Sequence, residues 1–199
     1  MIPWFYALSQ AFVYIVLTIV GRISSIDKRF VPRSGPVILA SNHTAYLDPP
    51  ALGCVSPRPV IYMAKKELFD IKLLSLFIKP LGAIPVDRSR GDVAAIKLAL
   101  ATLKTGACFG IFPEGTRNKD GTGKAQFGVA LLAAKSGAPV VPVYVQGTSE
   151  AKRFKKITVV FGEPMVFARG GKASRDDLAK WTEELMGRIY ALREKIDGN

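Results

Sequence analysis

From about residue 22 onward, short apolar runs alternate with helical patterns, and that alternation limits the chain to an α/β layered fold. The runs predict strands over Val37–Ala40, Val60–Ala64, Gly82–Val86, Ala107–Phe112, Val140–Val145 and Ile157–Phe161. The patterns between them predict helices over Lys65–Ile78, Asp92–Lys104, Lys124–Ser136 and Ser174–Lys195. Gly106, Gly137 and Gly162 fall where helices and turns should end. Ser174 followed by Asp176 and Asp177 reads as an N-cap with an acidic first turn. The expected architecture is one layered domain, residues 22–199, with a mixed β-sheet flanked by helices. It follows a separate N-terminal segment, residues 1–21.

That first segment, through Val20, carries no charged side chain. As a helix it would extend about 30 Å, the thickness of a bilayer's hydrocarbon core. Trp4 and Tyr6 suit one interface, and Arg22, Lys28, Arg29 and Arg33 follow the other end. Positive charge after the segment would put the rest of the chain on the cytoplasmic face. No basic residue precedes the run and no small-x-small cleavage site follows it, which disfavours a cleaved signal. Membrane attachment is the expectation, as a span or an interfacial helix; a buried core helix is the alternative. Lys65–Ile78 is also ambiguous. Its apolar residues cover most of a helix's circumference, with Lys65, Lys66, Lys72 and Lys79 around them. A deeply buried helix and a second lipid-facing surface both fit.

Lys and Arg total 28 against 16 Asp and Glu, a net charge of +12, which favours anionic partners such as phospholipid headgroups or acidic proteins. The basic residues are dispersed and no zinc pattern or basic helical arm is present, so nucleic acid is not an expected partner. One histidine and two cysteines, Cys54 and Cys108, make a protein zinc site improbable. The cysteines read as buried thiols, with one disulfide as the alternative.

The single histidine, His43, lies in Asn42-His43-Thr44-Ala45-Tyr46-Leu47-Asp48, directly after a predicted strand. It is the one side chain here whose unperturbed chemistry suits proton transfer in both directions at neutral pH. Asp48 precedes Pro49 and Pro50 and should cap a short apolar helix. A turn there would fold the carboxylate onto one ring nitrogen, leaving the other to accept a hydroxyl proton. Taken alone, the pair is better explained as an interior histidine held by a capping aspartate. Phe112-Pro113-Glu114-Gly115-Thr116-Arg117 changes that balance. Gly115 permits a tight turn and Arg117 offers a planar fork of donors to a phosphate. Glu114 would repel a phosphate it faced, so it should orient an arginine or a substrate hydroxyl. Arg88, at the end of another predicted strand, would complete a clamp.

These residues resemble the glycerophospholipid acyltransferases, in particular the 1-acyl-sn-glycerol-3-phosphate acyltransferases. That family has four ordered blocks. Asn42, His43 and Asp48 match the first, and Gly82, Ile84 and Arg88 the second. Phe112 to Arg117 match the third in full, and Val140-Val141-Pro142-Val143 the fourth. The resemblance runs from about residue 35 to 165. Ala45 and Asn118 stand where serine is frequent in the family.

The resemblance implies transfer of a fatty acyl group from a thioester, on acyl carrier protein or coenzyme A, to the 2-hydroxyl of lysophosphatidic acid. No bound cofactor is needed. His43 would be the base and Asp48 its partner; Arg88, Glu114, Gly115, Thr116 and Arg117 would hold the glycerol phosphate. Asn42 or Lys65 would support the loop or the oxyanion, with backbone amides elsewhere as the alternative donors to it. A thioester is already activated, and no Gly-x-Ser-x-Gly elbow is present, so direct attack by the acceptor is the simplest chemistry. The rivals are the same chemistry on glycerol 3-phosphate or another lysolipid, ester or thioester hydrolysis, and a non-catalytic lipid-binding protein.

Overall fold

A computed structural model describes residues 1–87, 92–118, 125–153, 155–168 and 173–198. Among these residues seven strands form one mixed sheet: β1 (Ser24–Ile26), β2 (Val37–Ser41), β3 (Val60–Lys65), β4 (Ile84–Val86), β5 (Cys108–Ile111), β6 (Val140–Gln146) and β7 (Thr158–Phe161). Their order is β1-β7-β6-β2-β5-β3-β4. All pairings are parallel except β6 with β7. The helices are α1 (Pro3–Gly21), α2 (Asp48–Val55), α3 (Lys72–Ile78), α4 (Asp92–Lys104), α5 (Gly128–Ser136), α6 (Arg175–Ala191) and α7 (Glu194–Asp197).

Both faces of the central strand are covered, as its unbroken apolar run demands. Val37 and Leu39 of β2 face a core completed by Leu17 of α1 and by Ala51 and Leu52 of α2. Ile38 and Ala40 face the opposite core, with Leu103 of α4, Leu132 of α5, and Leu185 and Ile189 of α6. Ser174 caps α6 through a reciprocal capping box with Asp177.

Lys65–Ile78 is not one helix. Lys65 is the last residue of β3, paired in register with Val86. Lys66–Phe69 forms a 3-10 turn, and Ile71 is extended (φ −78°, ψ 100°) before α3 begins. Sheet pairing by Met63–Lys65 with β4 overrides the helical pattern there. The polar strand Ser24–Ile26 was not expected; it is held by backbone pairing with β7, with Ser24 Oγ 3.4 Å from Thr158 Oγ1. β4 starts at Ile84 rather than Gly82, and α5 at Gly128; Lys124, the expected start of that helix, lies outside the described residues. The expected last helix divides into α6 and α7.

Among the described residues, α1 is the one helix long and apolar enough to cross a membrane. It is not a core helix. Tyr6, Gln10, Val13, Leu17 and Gly21 form an inner stripe against the domain. The Tyr6 hydroxyl accepts from Val60 N (2.9 Å), and Gln10 Nε2 donates to Gly53 O and Ser56 O (3.1 and 3.0 Å). Gly21 O accepts from Ile157 N (2.7 Å). The opposite stripe, Trp4, Leu8, Phe12, Ile15 and Ile19, is exposed.

Candidate active site

Parallel pairing brings the carboxyl ends of β2, β5, β3 and β6 to one edge of the sheet, where loops of an open α/β fold carry ligand sites. Ala40 pairs with Ile111, so Asn42-His43 and Phe112-Pro113-Glu114 leave adjacent strands side by side. Asn42 continues the ladder with its side chain: Oδ1 accepts from Val145 N (2.7 Å) and Nδ2 donates to Val145 O (2.9 Å). Both ends of that buried amide are committed, which gives Asn42 a supporting position rather than an oxyanion contact.

His43 Nδ1 lies 2.8 Å from Asp48 Oδ2. The same oxygen accepts from Thr44 N (2.6 Å) and Ala45 N (2.8 Å). Oδ1 accepts from the Thr148 hydroxyl. The carboxylate is fully buried, and four donors satisfy it. Asp48 opens α2 but does not cap it as expected. Leu47 is the N-cap, and the Asp48 carboxylate turns back to the His43 loop. The His43 ring stacks on Phe112 (centroids 4.2 Å apart), which in turn stacks on Tyr62 (6.0 Å). Gly110 makes that stack possible: a Cβ there would meet the Tyr62 ring at 2.2 Å.

Glu114 has partners other than those expected. It is 5 % exposed, and both carboxylate oxygens are taken by protein donors. Oε2 accepts from His43 N (2.9 Å); Oε1 accepts from Asn118 Nδ2 (3.0 Å) and from the Tyr190 hydroxyl of α6 (2.5 Å). Burial and the bond to Glu114 push the Tyr190 phenol above its ordinary value, so it remains a donor. Asn118 N also donates to His43 O (2.7 Å), which closes the two loops on each other. Gly115 adopts φ +69°, and a Cβ there would press on the Gln126 amide at 2.8 Å.

Arg117 is exposed and lies over the Tyr46 ring, 3.6 Å from its centroid. Thr116 is exposed beside it. Lys65 is exposed at the end of β3, separated from β2 by β5. Arg88 lies outside the described residues. Thr148 and Tyr190 were not anticipated. Each reaches the site from far along the chain, and a lone threonine or tyrosine there carries no spacing signal. Cys54 and Cys108 are buried free thiols, and burial pushes both up to about 12.

A family model described as Acyltransferase matches residues 22–146. The chain belongs to the acyltransferase family. This acyltransferase is 35 % identical, over 188 residues, to a Bacillus subtilis (strain 168) protein named 1-acyl-sn-glycerol-3-phosphate acyltransferase, covering 92 % of this chain and 94 % of that one. A Streptococcus pneumoniae protein of the same name is 30 % identical over 165 residues, 80 % of this chain and 60 % of that one. The crystal structure of PlsC from Thermotoga maritima, described as a 1-acyl-sn-glycerophosphate (LPA) acyltransferase, matches with a TM-score of 0.75 at 25 % identity, covering 95 % of this acyltransferase and 78 % of that chain. The family match spans Asn42 to Arg117 but stops before Thr148 and Tyr190, which brace the site from outside it.

Proposed function

We propose that the protein transfers an acyl group from a coenzyme A or acyl carrier protein thioester to the 2-hydroxyl of lysophosphatidic acid, forming phosphatidic acid. The observation that carries this reading is the His43–Asp48 pair, with its buried carboxylate on Nδ1, beside the loop that bears Arg117. Asp48 holds the Nδ1–H tautomer, so Nε2 is the basic nitrogen. Nε2 takes the acceptor's hydroxyl proton as its oxygen attacks the thioester carbonyl. The tetrahedral intermediate collapses, the carbon–sulfur bond breaks, and the imidazolium returns its proton to the leaving thiolate.

Asp48 stabilises the imidazolium formed between the two steps. Arg117 binds the acceptor phosphate, with Arg88, Thr116 and the Gly115 turn completing that subsite. Glu114 acts through His43: it anchors the backbone of the base rather than touching phosphate, since its two oxygens already have protein donors. The amides of Thr44 and Ala45 serve Asp48, and Pro49 and Pro50 have none to offer. Lys65 is the group we assign to the oxyanion.

The outer stripe of α1 attaches the enzyme to the membrane. Because its inner stripe is fastened to the domain along its length, α1 lies in the interface instead of crossing the bilayer. We assign the site to the cytoplasmic face, whose anionic lipids suit the basic residues that follow α1. Similarity in sequence to proteins named for this acceptor supports the choice of lysophosphatidic acid.

An acceptor panel tests the substrate assignment. Labelled acyl-coenzyme A and acyl carrier protein thioesters are each offered lysophosphatidic acid, glycerol 3-phosphate and a monoacylglycerol. Phosphatidic acid should be the main product. Transfer to monoacylglycerol alone would overturn the phosphate subsite, and fatty acid released without transfer would mark a hydrolase.

A further inference from the structure

We propose that α3 is a second lipid-contacting element, which with α1 seats this enzyme on an anionic leaflet; the inference rests on the membrane reading of α1 given above. α3 is inside out for a helix in water. Its buried position is Ser75 (7 % exposed), whereas Leu73 (71 %), Leu76 (69 %) and Phe77 (53 %) point outward, with Ile71 (53 %) just before them. A helix resting on a soluble domain turns its large apolar side chains inward. A contiguous apolar patch with a polar rim marks an interaction surface. Lys72 and Lys79, at the two ends of α3, are exposed and basic; the turn before them is mixed, with exposed Glu67 and Asp70 beside Lys65 and Lys66, and Lys66 Nζ 4.0 Å from Asp87 Oδ2.

The patch is continuous with the outer stripe of α1. The rings of Phe5 and Phe77 lie 6.4 Å apart, and Ile2 N donates to Pro80 O (2.9 Å). The N-terminal end of α1, with exposed Trp4 edge-on to Phe5, therefore meets the exposed Phe77 end of α3.

A leaflet bearing anionic headgroups fits both parts of this surface. Apolar side chains enter the acyl boundary, and lysine stems lie along it while their ammonium groups meet phosphate. A second copy of the chain fits poorly, because a two-fold contact brings each patch, lysines included, against itself. An acidic protein would meet the lysines but leave the exposed leucines without an apolar partner. The chain runs from the carboxyl end of β3, at Lys65, through one 3-10 turn into α3, so lipid contact there holds the catalytic edge near the acceptor's leaflet.

The test uses the full chain with a polarity-sensitive fluorophore on Leu76→Cys, and separately on Phe12→Cys of α1. The native cysteines are buried and do not compete for label. Each protein is added to mixed phosphatidylglycerol–phosphatidylcholine vesicles, with or without bromine on the acyl chains. Both labels should shift to the blue and be quenched by the brominated chains. Lys72→Glu with Lys79→Glu should raise the lipid concentration for half-binding by at least about tenfold on the anionic vesicles, and much less on pure phosphatidylcholine. A label at 76 that stays water-exposed while the label at 12 enters lipid overturns the role of α3 alone. Failure of both labels to enter overturns the membrane reading of α1 and this inference together. A blue shift at 76 that needs no lipid and grows with protein concentration identifies self-association and overturns it as well.

Discussion

Glu114→Gln separates a brace for the base from a ligand for the phosphate. The glutamate accepts three hydrogen bonds, from His43 N at 2.9 Å, Asn118 Nδ2 at 3.0 Å and the Tyr190 hydroxyl at 2.5 Å. A glutamine of the same shape can keep its oxygen on His43 N and turn its amide toward the Tyr190 oxygen and a flipped Asn118. The contacts survive, but the charge does not. A hydrogen bond to an ionised group contributes about 1 kcal/mol more than a neutral one, so three bonds lose roughly 3 kcal/mol of stability. The same change loosens the His43 backbone. Misplacement of a catalytic group by a fraction of an ångström should lower kcat about tenfold, since a full ångström costs about a hundredfold. The KM for lysophosphatidic acid should stay within about threefold, because this carboxylate does not meet phosphate. Thermal unfolding and steady-state kinetics with varied acceptor measure both. A large rise in acceptor KM with kcat and melting temperature unchanged would refute the brace.

The Tyr46 ring under the Arg117 guanidinium should orient it for phosphate. Arg117→Ala is expected to raise the acceptor KM far more than the donor KM, Tyr46→Ala to do so by a few-fold, and the double variant to fall short of the product of the two; multiplicative effects would show that the contact is idle. Burial raises Cys54 and Cys108 from an ordinary 9.0 to about 12, so iodoacetamide at pH 8 should leave both unmodified until denaturant is added. Their folded values lie above the unfolded ones. That contribution to stability is therefore complete below pH 9 and is lost as pH rises toward about 12, which alkaline unfolding titrations can follow.

The family and the candidate His43–Asp48 pair were legible because acyl-transfer chemistry restricts such a site to few residue types at fixed spacing. A single histidine, an aspartate five positions on, and an intact Phe112–Arg117 segment at predicted strand ends sufficed to expect the layered fold and an acyltransferase. What was not legible depends on contacts distant in sequence. Thr148 reaches Asp48 across a hundred positions and Tyr190 reaches Glu114 from α6, and neither residue type announces such a role. The charge of Glu114 pointed to an arginine or a substrate hydroxyl as its partner, and the family resemblance grouped it with the residues that hold the glycerol phosphate. Its burial beneath His43 N gives it three protein donors instead. The helical pattern of Lys65–Ile78 failed for a related reason: pairing with β4 extends β3 through Lys65, and only Lys72–Ile78 retains the α-helix. Its excess of apolar residues, ambiguous in sequence, is outward-facing in the fold.

We hold that His43 is the base of an acyl transfer, and loss of its imidazole must then stop turnover. Parent and His43→Ala proteins, each reconstituted with lipid, receive a labelled acyl thioester and lysophosphatidic acid, with both coenzyme A and carrier-protein donors tried. Phosphatidic acid should form with the parent, and turnover should fall by at least ~10²-fold in the variant. Near-parental turnover without the imidazole, or no phosphatidic acid from the parent with either donor, would contradict the claim.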